Sequence, residues 1–599
     1  MVAWRPTGPT AGATSPYRLG IALVAVALLV SSCVLDPGEA AGPRDPLAEK
    51  SSEDTEGDAT PETGSDRAAT LRWSDCEEEL LEGLECATLL VPLDPADPEG
   101  ETIELALSRR SAGQPSQRIG SLLINPGGPG GSGVELVGQL ASVVSDTVLD
   151  RFDLVGFDPR GVGRSSPVDC IDNPETLNAL DGDPDTSAEI DALTEAQNKI
   201  VATCVKRHPT LLAHLSTADA AHDLDQIRRA VGDEKLTYLG FSYGTELGAT
   251  YASLFPDRVR ALVLDGAVGP GLSDEELSRT QAQGFEKAFT NFVESCRQDS
   301  RCEATPDARA LYEKVRKTVE LAPIPVGTPG ERRDLSVGDF QIGVIRALYD
   351  QALWFYLARG LSEAAKGDGA TLLALADLYH ERQPDGSYPN AADAHLAIAC
   401  ADSTERGSLS QAQQTAARLA AAAPTFGAQL GWSSLACRGW PLAAQSRTTI
   451  ATTTDAPMLV VGTINDPATP YVWAEQLTKA LGPTAQLLTW QGEGHTAYLK
   501  ADCITAAVDA FLVELTVPTK TTCPADADRA DADFAGLQPD LRDAFVQDSG
   551  LSPARADCVA GRVAPAITAA DLVTLYLGEL SDTLTATITA AVTACNRGA

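Results

Sequence analysis

A serine flanked by glycines is the first candidate for chemistry in this 599-residue chain. Residues 240–244, Gly-Phe-Ser-Tyr-Gly, match the G-x-S-x-G pattern of a nucleophile elbow, in which a tight turn between a strand and a helix exposes a serine hydroxyl. An apolar run ends at Leu239 and helical periodicity begins at Thr245, so the flanking sequence fits that context. Ser242 is therefore the candidate nucleophile, although such a pentapeptide also occurs as an ordinary glycine-containing turn.

A histidine and an acid must accompany such a serine, the histidine to take its proton and the acid to orient the histidine. Of the six histidines, His495 alone lies in a glycine-rich loop after a late apolar run. Two aspartates, Asp265 and Asp466, follow apolar runs in the required order of serine, acid and histidine. Asp466 is favoured because it is closer in sequence to His495 and because its turn, Asp-Pro-x-Thr-Pro, is rigid.

A glycine-rich loop precedes the elbow at residues 126–133, Pro-Gly-Gly-Pro-Gly-Gly-Ser-Gly. Its five glycines allow backbone N–H groups to turn toward one point, as in an anion-binding loop. A phosphate-binding loop is the alternative, but the segment lacks both the G-K-[ST] ending and the G-x-G-x-x-G spacing of nucleotide sites. Upstream of a G-x-S-x-G motif the loop better suits an oxyanion hole, to which the residue after the nucleophile, Tyr243, would add an N–H donor.

Alternating strands and helices are needed to position these segments. Apolar runs at 86–92 and 102–108 flank a turn and predict an antiparallel hairpin. Asp158 and Arg160, in a loop after one of the later runs, are expected to pair and brace the site. Six later apolar runs alternate with helical segments and predict an α/β fold with a mainly parallel sheet: 119–125, 152–157, 236–239, 259–264, 457–463 and 486–490. The run 486–490 is expected to be the last strand of this sheet.

The pattern changes after the strand that follows the elbow. Residues 272–444 have helical periodicity and few strand-like runs, which predicts a large helical lid insertion. This insertion would separate the first part of the core, 71–271, from the second part, 445–524. Residues 525–599 begin with a linker rich in Ala and Asp and are expected to form a small helical accessory module.

The N-terminus has the features of an export signal. Two arginines precede a 12-residue apolar run, 19–30, that is too short for a comfortable membrane span. Small residues then lead to Cys33, as in a bacterial lipobox, so segment 1–33 is expected to be a signal peptide ending in a lipidated cysteine. An ordinary signal peptide with an incidental cysteine is the alternative. Segment 34–70 is polar and acidic and is expected to be a disordered tether, which would hold the protein by its lipid on the outer face of the bacterial cytoplasmic membrane or cell envelope.

Cysteine content and charge agree with an exported protein. Twelve of the thirteen cysteines remain when Cys33 is set aside, and an even set is typical of a disulfide-bonded chain. The formal net charge of −37 argues against binding nucleic acid. No metal or other cofactor is expected, since neither a C-x₂-C nor a paired histidine spacing occurs. Joining sequential neighbours predicts six bridges: 76–86, 170–204, 296–302, 400–437, 503–523 and 558–595.

These motifs together resemble the tripeptidyl aminopeptidase family, which comprises secreted or lipid-anchored serine peptidases of actinobacteria with the α/β-hydrolase fold and is related to the prolyl iminopeptidases. The resemblance implies an enzyme that releases tripeptides or other short peptides from peptide or protein N-termini through a Ser-His-Asp triad and an acyl-enzyme. It covers roughly residues 72–524 and rests on five segments: 125–133, 158–161, 240–245, 465–467 and 494–495.

The resemblance also implies roles for particular residues. It supports Asp466 over Asp265 as the acid, and by match to the motif it assigns the oxyanion hole to the backbone N–H groups of Gly128 and Tyr243. Asn125 stands where the prolyl iminopeptidases have a histidine. This difference argues against a proline-specific activity that removes single residues.

Two other functions are compatible with the same residues. An esterase or lipase would use the same triad, because acyl-transfer motifs do not distinguish an ester from an amide. A non-catalytic hydrolase-fold binding protein is less favoured, because such proteins usually lose a triad member and none is missing here.

Overall fold

The structure is a computed structural model that describes residues 71–300, 302–327, 332–440, 447–525, 542, 551–563 and 582–596. The expected signal segment with Cys33 and the expected tether 34–70 lie outside these residues. None of the helices in the described ranges combines the length and the apolar character that a membrane span requires.

A single mixed sheet organises the first and larger of two compact units. Its ten strands, counted over the described residues, follow the order β1-β2-β3-β5-β4-β6-β7-β10-β11-β12. The strands from β1 to β3 pair in antiparallel fashion, β3 is antiparallel to β5, and every later pairing is parallel. The bounds are β1 Ser74–Asp75, β2 Glu85–Pro92, β3 Thr102–Arg110, β4 Gly120–Asn125, β5 Phe152–Phe157, β6 Leu236–Phe241, β7 Val259–Asp265, β10 Met458–Asn465, β11 Ala485–Glu493 and β12 Thr522–Cys523.

The predicted hairpin and the mainly parallel sheet are thus confirmed. The prediction that the run 486–490 is the last strand of the sheet is wrong. Strand β12 pairs with β11 beyond the run 486–490. It has only two residues, too few to show a periodic pattern, and the disulfide Cys503–Cys523 ties it to the last helix of the core.

Helices cover both faces of the sheet, which explains why its central strands are largely apolar and buried along almost their whole length. Leu122 and Ile124 face one cluster of buried side chains and Leu123 faces the other, as the alternation of a strand requires. The first face is covered by Gly133–Ala141 and Asp502–Glu514, and the second by Thr217–Ala230, Tyr243–Leu254 and Tyr471–Leu481.

The stretch expected to form the insertion is mainly helical, as its periodicity predicts. It has its own apolar core, built around Phe285, Phe289, Tyr312 and Phe340. It also contains a two-stranded hairpin, β8 Ile324–Val326 with β9 Arg333–Leu335, that the sequence pattern does not indicate. Its helices are Asp274–Gln298, Ala308–Leu321, Val337–Leu348, Trp354–Ala364, Ala370–His380, Ala391–Asp402, Leu409–Ala422 and Gly427–Trp432. The boundaries 272 and 444 remain predictions.

The remaining helices of the larger unit are short, apart from one that lies between β5 and β6. They are Asp146–Leu149, Pro174–Asn178 and the long Ser187–Arg207. In the second unit, Pro553–Val563 and Asp582–Asn596 are joined by Cys558–Cys595. Much of the expected accessory module lies outside the described residues.

All six disulfides predicted from sequential pairing are confirmed. Their Cα–Cα distances lie between 4.6 and 6.0 Å, within the usual range for a bridge.

The expected pairing of Asp158 with Arg160 is wrong. Arg160 is almost fully buried and pairs with Asp223, with its Nε 2.6 Å from a carboxylate oxygen. Asp158 instead accepts hydrogen bonds from the Ser132 hydroxyl and the Val134 N–H, and so holds the start of the helix after the glycine-rich loop. Each side chain therefore has a partner that is distant in sequence.

Candidate active site

The expected nucleophile lies on a strained turn at the carboxyl end of β6. Ser242 has φ 54° and ψ −123°, a conformation that L-residues rarely adopt, and helix Tyr243–Leu254 begins directly after it. Its N–H donates to the carbonyl oxygen of Asp265, at the end of the neighbouring strand β7, over 2.9 Å. This is the strand–turn–helix geometry expected of a nucleophile elbow.

The expected acid and base follow two adjacent parallel strands, β10 and β11. Nδ1 of His495 lies 3.0 Å from both carboxylate oxygens of Asp466. A hydrogen on Nδ1, donated to that carboxylate, leaves Nε2 as the proton acceptor of the neutral imidazole. The imidazole Cε1 also lies beside Gly266. Gly266 directly follows Asp265, and it is the carbonyl oxygen of Asp265 that accepts the Ser242 N–H.

Asp466 is fixed by more than the histidine. Its side chain is fully buried and accepts the backbone N–H groups of Ala468, Thr469 and Thr496 at 2.8–3.2 Å. The hydroxyl of Thr469 donates to the same carboxylate over 2.9 Å and lies 3.2 Å from Nδ1 of His495. Sequence reasoning missed Thr469, although it is the threonine of the rigid Asp-Pro-x-Thr-Pro turn.

The rival acid, Asp265, lies beneath the same loop without contacting the imidazole nitrogens. Its fully buried carboxylate accepts the N–H groups of Ala497 and Tyr498, the nearest at 2.8 Å. Burial raises the pKa of Asp265 to about 6, although the two N–H donors oppose the shift. Asp265 therefore supports the backbone after His495, and it is Asp466 that the structure brings to the imidazole.

The glycine-rich loop reaches the elbow where an oxyanion would form. Asn125 accepts the N–H of Gly127 over 3.0 Å, which fixes the start of the loop. Gly127 has φ +94°, and a Cβ there would lie 2.9 Å from Cβ of Ser242 and 3.0 Å from the amide nitrogen of Tyr243. Gly128 is the next residue, and Tyr243 is the first helical residue, whose N–H has no partner within the helix.

Comparison with known proteins agrees with this geometry. A model of the α/β hydrolase fold matches residues 120–502. Serine protease Hip1 of Mycobacterium tuberculosis is 37% identical over 519 residues, which cover 83% of this chain and 95% of that protein. The chain belongs to the α/β-hydrolase family.

Two further relatives of the hydrolase carry different names. Carboxylesterase B of M. tuberculosis is 36% identical over 462 residues, with 74% of this chain and 88% of that protein covered. Tripeptidyl aminopeptidase of Streptomyces lividans is 32% identical over 464 residues, with 74% and 84% covered. These similarities confirm the resemblance found in the motifs and the expected class of enzyme, a serine hydrolase related to peptidases.

Residues of the expected insertion also contact the nucleophile elbow and the glycine-rich loop. The sequence does not indicate these contacts. The Tyr243 hydroxyl lies 2.7 Å from the Thr217 hydroxyl, which donates to Asp402 on the insertion helix Ala391–Asp402. Nδ1 of His395, on the same helix, lies 3.3 Å from the carbonyl oxygen of Pro129 in the glycine-rich loop.

Proposed function

We propose that the hydrolase is a serine exopeptidase that releases tripeptides or other short peptides from free N-termini. The observation that carries the proposal is the strained Ser242 at the carboxyl end of β6 together with the His495–Asp466 pair, whose aspartate is fully buried, after the neighbouring strands β10 and β11. The similarity to a protein named tripeptidyl aminopeptidase and to one named serine protease supports a peptide substrate.

The reaction would proceed through an acyl-enzyme. Oγ of Ser242 attacks the scissile carbonyl while Nε2 of His495 takes its proton, and Asp466 orients the imidazole and stabilises its cation. The N–H groups of Gly128 and Tyr243 would hold the oxyanion, a donor of this type being worth about 3 kcal/mol of transition-state stabilisation. His495 then returns the proton to the leaving amine, and water releases the short peptide from Ser242 by the same steps in reverse.

The proposed limit to N-termini rests on the large helical segment between β7 and β10. Residues of this segment contact the glycine-rich loop and the loop of His495, so the segment lies beside the reacting groups on two sides. A substrate chain that must end near Ser242 fits such a site better than a chain that passes through it.

The test compares Ser242→Ala with the wild type on peptide amides whose N-terminus is either free or acetylated. The wild type should cleave the free peptides, and the variant should lose that activity. Unchanged turnover by the variant would remove Ser242 from the mechanism, and good cleavage of acetylated peptides would exclude an exopeptidase. Mass spectrometry of the released products gives the length of the peptide.

We further propose that the hydrolase is exported and anchored by lipid on Cys33. The signal-like segment before Cys33 supports this proposal, as do the disulfides, which form in oxidising compartments. Cys33→Ala should move the protein from the membrane fraction to the medium. Equal membrane retention of both forms would contradict a lipid anchor.

A second candidate function, an esterase, is favoured by the similarity to carboxylesterase B. Two substrates with the same peptidyl acyl group, one its anilide and the other its ester with a short alcohol, decide between the two functions. Turnover of the ester alone would support the esterase, whereas turnover of the anilide supports the peptidase.

A further inference from the structure

The histidine loop is bound to a segment of the helical insertion by its backbone. The N–H of His495 donates to the carbonyl oxygen of Tyr349 over 2.8 Å, directly after the insertion helix Val337–Leu348. Asp350 and Gly494 form an isolated antiparallel bridge at the same place. Gly494 has φ +101°, and a Cβ there would lie 2.8 Å from the Tyr349 carbonyl oxygen, so only glycine permits this approach.

Side chains reinforce the same junction. The ring of Tyr349 meets the His495 imidazole nearly at a right angle, with 5.3 Å between the ring centres. Nζ of Lys500 donates to the carbonyl oxygen of His495 over 2.7 Å and lies 3.5 Å from the Asp350 carboxylate. The histidine therefore has the insertion on its backbone side and against its ring.

A second link joins the insertion to both loops of the acid–base pair. The carboxylate of Glu493, two residues before His495, accepts hydrogen bonds of 3.0 and 3.1 Å from the amide of Asn291 on the insertion helix Asp274–Gln298. It also accepts a hydrogen bond of 2.6 Å from the amide of Asn465, the residue before Asp466. One carboxylate thus ties together the insertion, the acid loop and the base loop.

We infer that the helical insertion positions the general base, with Tyr349 and Glu493 as positioning residues for His495. The inference rests on the proposed function, since it gives His495 the role of base. It assigns the insertion a second task besides limiting access.

The test uses variants that weaken each link without changing the reacting groups. Asn291→Ala removes the insertion's donor to Glu493, and Tyr349→Leu removes the ring but keeps the backbone carbonyl. The matched controls are Gln298→Ala, on the same helix with its amide bonded to Glu294, and Tyr349→Phe, which keeps the ring. Circular dichroism and thermal melting verify that each variant is folded.

A misplaced base lowers the rate of the chemical step rather than substrate binding. The double variant Asn291→Ala/Tyr349→Leu should lose about 10- to 100-fold in kcat with KM changed by less than about threefold. The rate of inactivation by a fluorophosphonate should fall in parallel, and Gln298→Ala and Tyr349→Phe should keep kcat within about threefold of the wild type. Asn291 is only partly buried, so the single variant Asn291→Ala is expected to fold. It replaces the double variant in the test if the double variant does not fold.

Two outcomes would overturn the inference: a folded double variant with unchanged kcat and inactivation rate, or a change confined to KM. Failure of the proposed function is recognised separately, because it appears as a wild type that does not cleave peptides. A wild type that reacts with the fluorophosphonate still tests the inference, since inactivation of the serine needs the same base.

Discussion

Replacing Asp466 with asparagine removes the charge beside His495 while keeping the size of the side chain. One carboxylate oxygen accepts the N–H groups of Ala468 and Thr469, and the other accepts the Thr469 hydroxyl and the Thr496 N–H. In either orientation, the amide of an asparagine would direct its own N–H groups at hydrogen-bond donors. Both positions lie 3.0 Å from Nδ1 of His495, so the amide N–H would favour the tautomer that carries its hydrogen on Nε2, and the imidazole would lose the negative charge that stabilises its cation.

The loss of kcat expected for Asp466→Asn is large. Asparagine in place of the triad acid favours the wrong tautomer and lowers kcat by about 10⁴-fold in enzymes of this type, which equals about 5.5 kcal/mol in the activation barrier. Asp265→Asn is the matched control. A single asparagine oxygen can accept both the Ala497 and the Tyr498 N–H, since both approach the same carboxylate oxygen within 3.0 Å. Its kcat should stay within about tenfold of the wild type.

The assay measures kcat and KM of the wild type and both variants on one chromogenic peptide anilide with a free α-amine, after circular dichroism has established equal folding. A greater loss of activity in Asp265→Asn than in Asp466→Asn would assign the role of the acid to Asp265. If Asp466→Asn keeps more than about a tenth of the wild-type kcat, Asp466 is not the acid that orients His495.

Three further predictions concern folding and the elbow. Arg160→Met leaves the buried Asp223 carboxylate unpaired and should lower the free energy of unfolding by about 3–5 kcal/mol in a urea titration, whereas a loss below about 1 kcal/mol would contradict the pairing. Gly127→Ala should lower kcat/KM by at least about 100-fold, because its Cβ would lie 2.9 Å from Cβ of Ser242, and a variant with wild-type kinetics would refute that close packing. The pKa of Asp265 is raised to about 6 in the folded protein, so folding is favoured when this carboxyl group is protonated. The free energy of unfolding of the wild type should therefore fall by up to about 3 kcal/mol, relative to that of Asp265→Asn, as the pH rises from about 4 to 7. A difference between the two proteins that does not change with pH would contradict the raised pKa.

Much of the fold could be predicted from the sequence because its signals are local. Each parallel strand from β4 to β11 contains an apolar run bounded by loop residues, and each disulfide joins cysteines that are consecutive along the chain. The approach of His495 to Asp466 also follows from local facts, since each residue comes just after one of two consecutive strands. Parallel strands place such residues at the same edge.

Contacts that depend on tertiary packing could not be predicted in this way. Arg160 has an aspartate two residues away, yet its partner is Asp223, 63 positions along the chain. The contact of Tyr349 with His495 joins helical and strand regions that have no shared pattern in the sequence. Strand β12 is defined only by its pairing with β11, because two residues show no periodicity.

Covalent labelling shows directly whether Ser242 is the nucleophile of this site. The purified protein is treated with a fluorophosphonate, weighed intact by mass spectrometry and then digested to locate the modified residue. We expect one label per chain, on Ser242, with little or none in His495→Ala and none in Ser242→Ala. A label on another serine, or equal labelling of Ser242→Ala, would show that Ser242 is not the nucleophile.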